Sequence, residues 1–327
     1  MDALINDIAD LLRTRRVSVG WTDVELAGAL GIPKSRILKA LDELRELGYE
    51  FSASGSGAIR IIKSPDRMID TEILAGLKTR TFAKQLHCYN RLGSTNTRAI
   101  ELAEAGAPEG TVVVAEEQTG GRGRLGRSWH SAPGLGIWSS IILRPQISIQ
   151  KASGLSLLAA LAFAHTVDKV LGLKVDLKWP NDGLIDGRKV IGILTEVTAE
   201  TDRVYFAVCG TGINVSHLST DFPSSLRSNA VSLAMAAGHP IDRLAVYRAF
   251  LTEFEALYRT FRRDGIQPFL ADYRERSILL GHEVTVQQGN MTIHGRAIAI
   301  DDSGALIVRD KRRDVVVFAG EATLREQ

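Results

Sequence analysis

Residues 120–129, GGRGRLGRSW, set three arginines (Arg122, Arg124, Arg127) among four glycines (Gly120, Gly121, Gly123, Gly126). Glycine reaches backbone conformations that other residues avoid and lets the chain approach a ligand closely. Successive backbone N–H groups in such a bend form an anion-binding concavity. Guanidinium forks grip phosphate or carboxylate at two points. The stretch therefore reads as a loop that holds something small and highly anionic. On composition alone, a solvated basic surface loop fits equally well. The net charge of +2 announces no polyanionic partner, so any anion binding must be local.

The 327 residues suffice for two or three domains with sizeable cores. The two cysteines, Cys88 and Cys209, read as small buried residues of a reducing compartment and are too few for a metal cluster. The N-terminal stretch carries Asp2, Asp7 and Asp10 in an amphipathic pattern, which suits a folded helix rather than a secretory signal. The most apolar run, residues 155–167, is short for a bilayer and continues into Asp168 and Lys169, so it reads as a core helix. A cytoplasmic protein is expected.

The first 63 residues read as helix, tight turn, helix, then a small hairpin. A first helix runs to about Leu12. Thr22 or Asp23 caps a second, which stops at Gly31. Ile32 and Pro33 make the turn, and a third helix follows to about Leu47, with Ile37, Leu38, Leu41 and Leu44 on one face. Two β-prone runs flank Gly55-Ser56-Gly57. This is the layout of a winged helix-turn-helix, whose second helix enters the major groove. Lys34, Ser35, Arg36 and Lys39 fall where DNA contacts would lie. An ordinary helical interaction module is the alternative, since the segment has nine acidic and nine basic residues.

Residues 64–80 read as a linker with a short helix, and residues 81–276 alternate strands and helices. Asp186-Gly187 is a strong two-residue hairpin signal. A mixed, largely antiparallel sheet with helices on one side is expected. Residues 277–327 carry short strands between turn signals, the pattern of a small SH3-like β-barrel.

Three further segments belong beside the loop. In GSTN (93–96), Ser94, Thr95 or Asn96 can cap a helix or bond a ligand's amide or urea. In KWPNDGLIDGRKVIG (178–192), Asn181 and Asp182 are placed in a turn at a strand end. Asp182 can help hold Mg²⁺ or orient an amine, and Lys189 can reach an anion. Plain turn chemistry explains the same residues. In CGTGINV (209–215), small residues follow a strand, where a ring can lie close to the backbone.

Together GSTN, EQTGGRGRLGRSW, KWPNDGLIDGRKVIGILTE and GTGINV, in this order, resemble the biotin protein ligases. The resemblance covers nearly the whole chain, and the N-terminal segment resembles that of the bifunctional members, which also repress transcription. It implies an α+β protein: a winged helix-turn-helix (1–63), a linker (64–80), a mixed-sheet α/β catalytic domain of the biotin/lipoate ligase type (81–276) and an SH3-like barrel (277–327). The implied reaction has two steps. The biotin carboxylate attacks the α-phosphorus of ATP, with Mg²⁺ on the phosphates, to give biotinyl-5′-AMP. A lysine of a biotin carboxyl carrier protein then attacks the mixed anhydride.

The same resemblance implies residue roles. Ser94, Thr95, Asn96, Gln118, Arg122, Gly123, Arg124 and Lys189 would bind biotin. Arg122, Arg124, Arg127, Trp129, Asn181, Asn214 and Arg325 would face ATP or the adenylate, with Glu321 near the nucleotide. Arg124, Lys189 and Asp182 would carry the chemistry, Asp182 also at the metal. Two departures stand out. Leu125 occupies a position where family members can carry arginine. Residues 224–233 contain no aromatic residue where some regulatory members place a tryptophan, so adenine is expected to pack on aliphatic groups. Operator DNA and a homodimer, liganded or on DNA, complete the expected partners. The alternatives are a ligase whose N-terminal domain regulates nothing, a non-enzymatic effector-sensing repressor, and a lipoate ligase.

Overall fold

The computed structural model describes residues 3–15, 20–53, 57–311 and 313–325. Asp2, Arg16 and the Gly55-Ser56 part of the expected hairpin turn lie outside them. The chain divides into two compact units, Met1–Leu77 and Lys78–Gln327.

The first unit contains α1 (Ala3–Thr14), α2 (Asp23–Leu30), α3 (Lys34–Glu46), β1 (Glu50–Ala53), β2 (Ile59–Lys63) and α4 (Asp70–Ile73). Thr22 and Glu25 form a capping box at α2, with Thr22 Oγ1 accepting from the Glu25 N–H at 3.2 Å and the Glu25 carboxylate accepting from the Thr22 N–H at 2.8 Å. Gly31 ends α2 in the left-handed region at φ 65°. Ile37, Leu41 and Leu44 of α3 bury against Ile5, Ile8 and Leu12 of α1 and Leu26 of α2, while β1 and β2 pair antiparallel. Leu38, expected on the apolar face of α3, is exposed instead, because the buried stripe passes through Ala40.

The segment expected to be a linker belongs largely to this unit. Its apolar residues complete the core: Met68, Ile69 and Ile73 are buried, and Ile69 joins the helical cluster. The Glu72 carboxylate accepts from the Tyr49 hydroxyl and from Arg13 Nη2.

The second unit runs β3 (Leu86–Leu92), α5 (Thr95–Glu104), β4 (Val112–Gln118), β5 (Gly136–Leu143), α6 (Ser153–Leu171), β6 (Asp176–Lys178), β7 (Asp182–Ile185), β8 (Arg188–Glu200), β9 (Arg203–Asn214), α7 (Leu233–Ala237), α8 (Arg243–Asp264) and α9 (Leu270–Arg276). Seven strands form one sheet in the order β3-β4-β5-β9-β8-β7-β6. β3 and β4 are parallel, with α5 as their crossover, and the other neighbours are antiparallel. The Asp186-Gly187 turn has both residues at positive φ, 51° and 71°, as a two-residue hairpin demands.

Helices cover both faces of this sheet, not one. Neighbouring side chains of a strand point to opposite faces. The Ser140 hydroxyl meets Thr95 and Asn96 of α5, whereas the Ser139 hydroxyl meets Tyr247 of α8. All eight residues of β5 are buried, as befits a strand between two helical layers. The short α5 covers only part of its face, and the rest is left for a cavity. On the other face α6 packs against α8 and the sheet, and its residues from Leu157 to Ala164 are buried. By length and composition alone the run from Ile149 to Leu171, which includes this helix, is apolar enough to cross a membrane. Its burial makes it the core of this unit.

The chain ends in an antiparallel sheet of β10 (Glu283–Gln288), β11 (Met291–Ile300), β12 (Leu306–Arg309), β13 (Asp314–Val317) and β14 (Glu321–Leu324), in the order β13-β12-β11-β10-β14. It is tied to the larger sheet through Trp179 Nε1, which donates to the Gly304 carbonyl at 3.0 Å.

Candidate functional site

The uncovered sheet face is floored by glycine. Gly192 of β8 pairs with Gly212 of β9, and Gly210 pairs with Leu194. A Cβ on Gly212 would lie 2.3 Å from Trp129 Nε1, one on Gly192 2.6 Å from the Trp129 ring, and one on Gly210 1.9 Å from Asn96 Oδ1. The absence of side chains lets an indole and an amide rest directly on the sheet. Above this floor lies a cavity of about 290 Å³.

The glycine–arginine stretch forms a wall of the cavity as a small hairpin. The Trp129 N–H donates to the Gly121 carbonyl at 2.8 Å, the Gly123 N–H to the Arg127 carbonyl at 2.7 Å, and Arg122 bridges Ser128. A 3₁₀ turn, Arg124–Gly126, closes the tip. The left-handed residues are Leu125 at φ 56° and Gly126 at φ 73°. Leu125 is 73% exposed at the tip. The base of the hairpin is anchored where the Gly120 N–H donates to the Gly93 carbonyl at 2.8 Å, directly beside GSTN.

One end of the cavity is a neutral hydrogen-bond network. Ser94 caps α5, its Oγ accepting from the Thr97 N–H at 3.5 Å. Gln118 Oε1 accepts from the Thr95 N–H and hydroxyl at 2.8 and 3.0 Å, and Gln118 Nε2 donates to Ser131 Oγ at 2.9 Å. The Ser140 hydroxyl lies 2.8 Å from Thr95 Oγ1 and 2.6 Å from Asn96 Oδ1. Asn96 Nδ2 donates to Glu196 Oε2 at 2.8 Å and to the Leu194 carbonyl at 3.1 Å. Asn96, expected as a ligand contact, lines the cavity, and with both amide protons engaged it also braces the wall.

The other end is charged. Lys189 Nζ lies 2.7 Å from Asp182 Oδ1 and 5.2 Å from the Trp129 ring centroid. Arg124 Nη1 donates to Asn181 Oδ1 at 3.1 Å. Burial pulls the Arg124 guanidinium below its ordinary pKa, against the opposing pull of Asp182 and Glu321. Arg122 Nη2 meets Glu196 Oε2 at 2.7 Å. Arg127 forms a bidentate pair with Glu321 at 2.7 and 2.6 Å, and holds that carboxyl below its usual pKa.

Asp182 is not in a turn as expected. It opens β7 and pairs with Lys178 across a three-residue turn, Trp179-Pro180-Asn181, so of the two residues only Asn181 lies in the bend. Asn214 lines the cavity, but its Nδ2 is turned to the Lys189 and Val231 carbonyls at 3.4 and 3.3 Å, fastening the 229–231 segment to β8. Arg325 does not line the cavity. It is exposed past the end of β14, with its backbone N–H on the Glu283 carbonyl at 3.0 Å.

Aromatic surface is present although residues 224–233 contain no aromatic residue. Trp129 and Phe222 both line the cavity, beside Leu226. Phe222 stacks on His217 at 4.6 Å between ring centroids, and burial drops the His217 pKa to about 4, keeping it neutral. Sequence reasoning gave no role to Glu196, Ser140 or Phe222. The two serines inside the apolar run of β5 were a usable signal for Ser140; Glu196 and Phe222 had none beyond their proximity to the motifs.

In the first unit, Lys34, Ser35, Arg36 and Lys39 share the exposed face of α3, opposite Ile37, Ala40, Leu41 and Leu44. Lys34 Nζ is paired with Asp23 of α2 at 2.9 Å.

Residues 89–214 match the model of the Biotin/lipoate A/B protein ligase family, and residues 279–325 that of the Biotin protein ligase C terminal domain. The chain is 41% identical over 300 residues to the Bifunctional ligase/repressor BirA of Bacillus subtilis, covering 92% of each chain. It is 36% identical to the Biotin--[acetyl-CoA-carboxylase] ligase of Mycobacterium tuberculosis, over 73% of this chain and 88% of that one. The solved biotin protein ligase of Aquifex aeolicus in complex with biotin and ATP superposes with a TM-score of 0.63 at 28% identity, over 75% of this chain and 100% of the other. By its motifs, its mixed sheet and these matches, the chain belongs to the biotin/lipoate protein ligase family.

Proposed function

We propose that this ligase activates biotin with ATP and transfers it to a lysine of a biotin carboxyl carrier protein, and that its first unit makes it a biotin-responsive repressor. The observation that carries the ligase reading is one cavity with two chemistries. Ser94, Thr95 and Gln118 stand at a neutral end, and Arg122, Arg124 and Lys189 at a cationic one.

Biotin's uncharged bicyclic ring suits the neutral end, where Thr95 and Gln118 present polar groups with spare capacity. Its carboxylate then points toward the loop. An anionic nucleophile must approach an anionic phosphate, so cations must neutralise both. Arg122, Gly123 and Arg124 cover the carboxylate and α-phosphate, with Lys189 opposite. The carboxylate oxygen forms a bond to the α-phosphorus and pyrophosphate leaves with the electron pair. Adenine lies against the Trp129 and Phe222 surface, with Asn214 fixing the segment beside it and Arg127 toward the phosphates. The carrier lysine's neutral amine then attacks the acyl carbon, and AMP departs. Asp182 orients that amine.

Mg²⁺ binds oxygen ligands and usually keeps several waters, using one or two carboxylates plus substrate phosphates. Among the described residues no group of three or more His, Cys, Asp or Glu side chains could cage a metal. Asp182 with Asn181 beside the phosphate site fits the lighter requirement. The ion supplies charge neutralisation on the phosphates.

A mixture of the protein with ATP, Mg²⁺, labelled biotin and an apo carrier domain should place label on the carrier lysine. An unlabelled carrier with folded protein would overturn the ligase reading, and labelling by lipoate instead would move the assignment to that substrate. Arg124→Gly should still form adenylate but release it to solvent about a hundredfold faster, the effect of losing one well-placed cation.

The exposed face of α3 supports a winged helix-turn-helix reading of the first unit, with α3 in the major groove. The five-stranded C-terminal sheet suits an SH3-like barrel. Binding to DNA upstream of biotin-synthesis genes should strengthen with biotin plus ATP, as a homodimer on two half-sites. Equal binding with and without them would remove the regulatory role.

A further inference from the structure

A single oxygen joins the two ends of the cavity. Glu196 Oε2, near the end of β8, accepts from Asn96 Nδ2 of α5 at 2.8 Å and from Arg122 Nη2 of the loop at 2.7 Å. A continuous run of hydrogen bonds leads to it: Ser131, Gln118, Thr95 through its backbone N–H and its hydroxyl, Ser140, Asn96, Glu196, Arg122. Its first members are neutral and buried or half-buried. Its last is an ion pair whose side chains are 44% and 30% exposed, for Arg122 and Glu196.

We propose that Glu196 is a positioning residue for retention of the acyl-adenylate: it sets the Asn96 amide and, through the same oxygen, holds Arg122 so that the loop stays closed over the intermediate. The inference rests on the reading of that loop as the cover of an acyl-adenylate. The two bonds differ in kind. The Asn96 bond survives replacement of the carboxylate by an amide, because a glutamine carbonyl accepts equally well. The Arg122 bond loses its charge assistance, which about halves it. A half-exposed ion pair is weak and screened by salt, which suits a contact that breaks and re-forms whenever the loop opens.

The full-length protein is loaded with labelled biotin, ATP and Mg²⁺ and chased with unlabelled biotin; adenylate release and the biotin KM are read separately. Glu196→Gln should release adenylate about fivefold faster, the size of an ion pair of this exposure, with the biotin KM nearly unchanged. Glu196→Ala, which also strips Asn96 of its acceptor, should raise both. Adding Glu196→Gln to Arg122→Ala should release no faster than Arg122→Ala alone, since both remove one interaction. Release from Glu196→Gln at the wild-type rate, a rise of its biotin KM in step with release, or additive effects in the double variant would each overturn the proposal. If Arg124→Gly also holds the adenylate as tightly as wild type, the loop reading itself has failed. If Arg124→Gly leaks and Glu196→Gln does not, only the role of Glu196 has.

Discussion

At one end of the cavity Thr95, Asn96, Ser140 and Gln118 are bonded to one another, and the first three are buried. At the other, Arg122 and Arg127 project from a hairpin and reach carboxylates 74 and 194 residues away in sequence. The first arrangement comes preassembled: each group's partner is in place before any ligand arrives, so ligand binding there need not order the wall. The second is held by charge at partly exposed positions, where each pair is weak and exchangeable. The proposed reaction, which passes through a reactive mixed anhydride, would use the first as a fixed seat for the acyl group and the second as a cover that moves.

The largest effect should come from spoiling the fixed end. Gly210→Ala puts a methyl group 1.9 Å from Asn96 Oδ1, so the amide must move. Overpacking of this kind costs about 1–3 kcal/mol, and a 1 Å misplacement near the chemistry costs about a hundredfold in rate. Calorimetry should show a lower Tm together with the lost ligation. A variant of unchanged Tm and activity would mean the wall is not preassembled.

Ser140→Ala is a gentler break of the same end. It leaves Asn96 Oδ1 and Thr95 Oγ1 one partner short in a buried place, at about 1–3 kcal/mol. Urea unfolding should show the loss, and the biotin KM should rise with it. If KM rises while stability holds, Ser140 touches ligand rather than the wall.

The loop was the more legible of the two ends. Arginines between glycines declare their chemistry wherever they lie, and the hairpin confirms a loop at 120–129. The floor was half legible: GTGIN announced small residues, but only the β8/β9 register sets Gly192 beside Gly212. The hydrogen-bond network of the fixed end was not legible as a network, because Ser140 and the carboxylate Glu196 that closes it acquire meaning only from partners 44 and 100 residues away. The second helical layer escaped notice for a related reason: an apolar run such as β5 shows that both faces are buried, not what buries them. β14 is four residues long and half polar, too little for a pattern, and it is recognisable only by its pairing with β10.

The smallest effect, and the sharpest test of the contrast, concerns Arg127 and Glu321. Their side chains are 66% and 37% exposed, so Arg127→Ala should leave Tm unchanged while the ATP KM rises by a few-fold. The pH response has a definite sign. Arg127 depresses the Glu321 pKa in the folded protein. The pair's contribution is therefore fully present above the ordinary glutamate value of about 4.3 and is lost as the pH falls through the lower folded value. Amide-exchange protection of residues 122–128 should hold from pH 8 to pH 5 and fall only below the ordinary glutamate range, and 1 M salt at pH 7 should mimic the acid effect. Amides of residues 94–97 should respond to neither treatment, because neutral hydrogen bonds feel little of either. If both segments lose protection together, the loop and the seat are one cooperative unit, and the division between a fixed end and an exchangeable one is wrong.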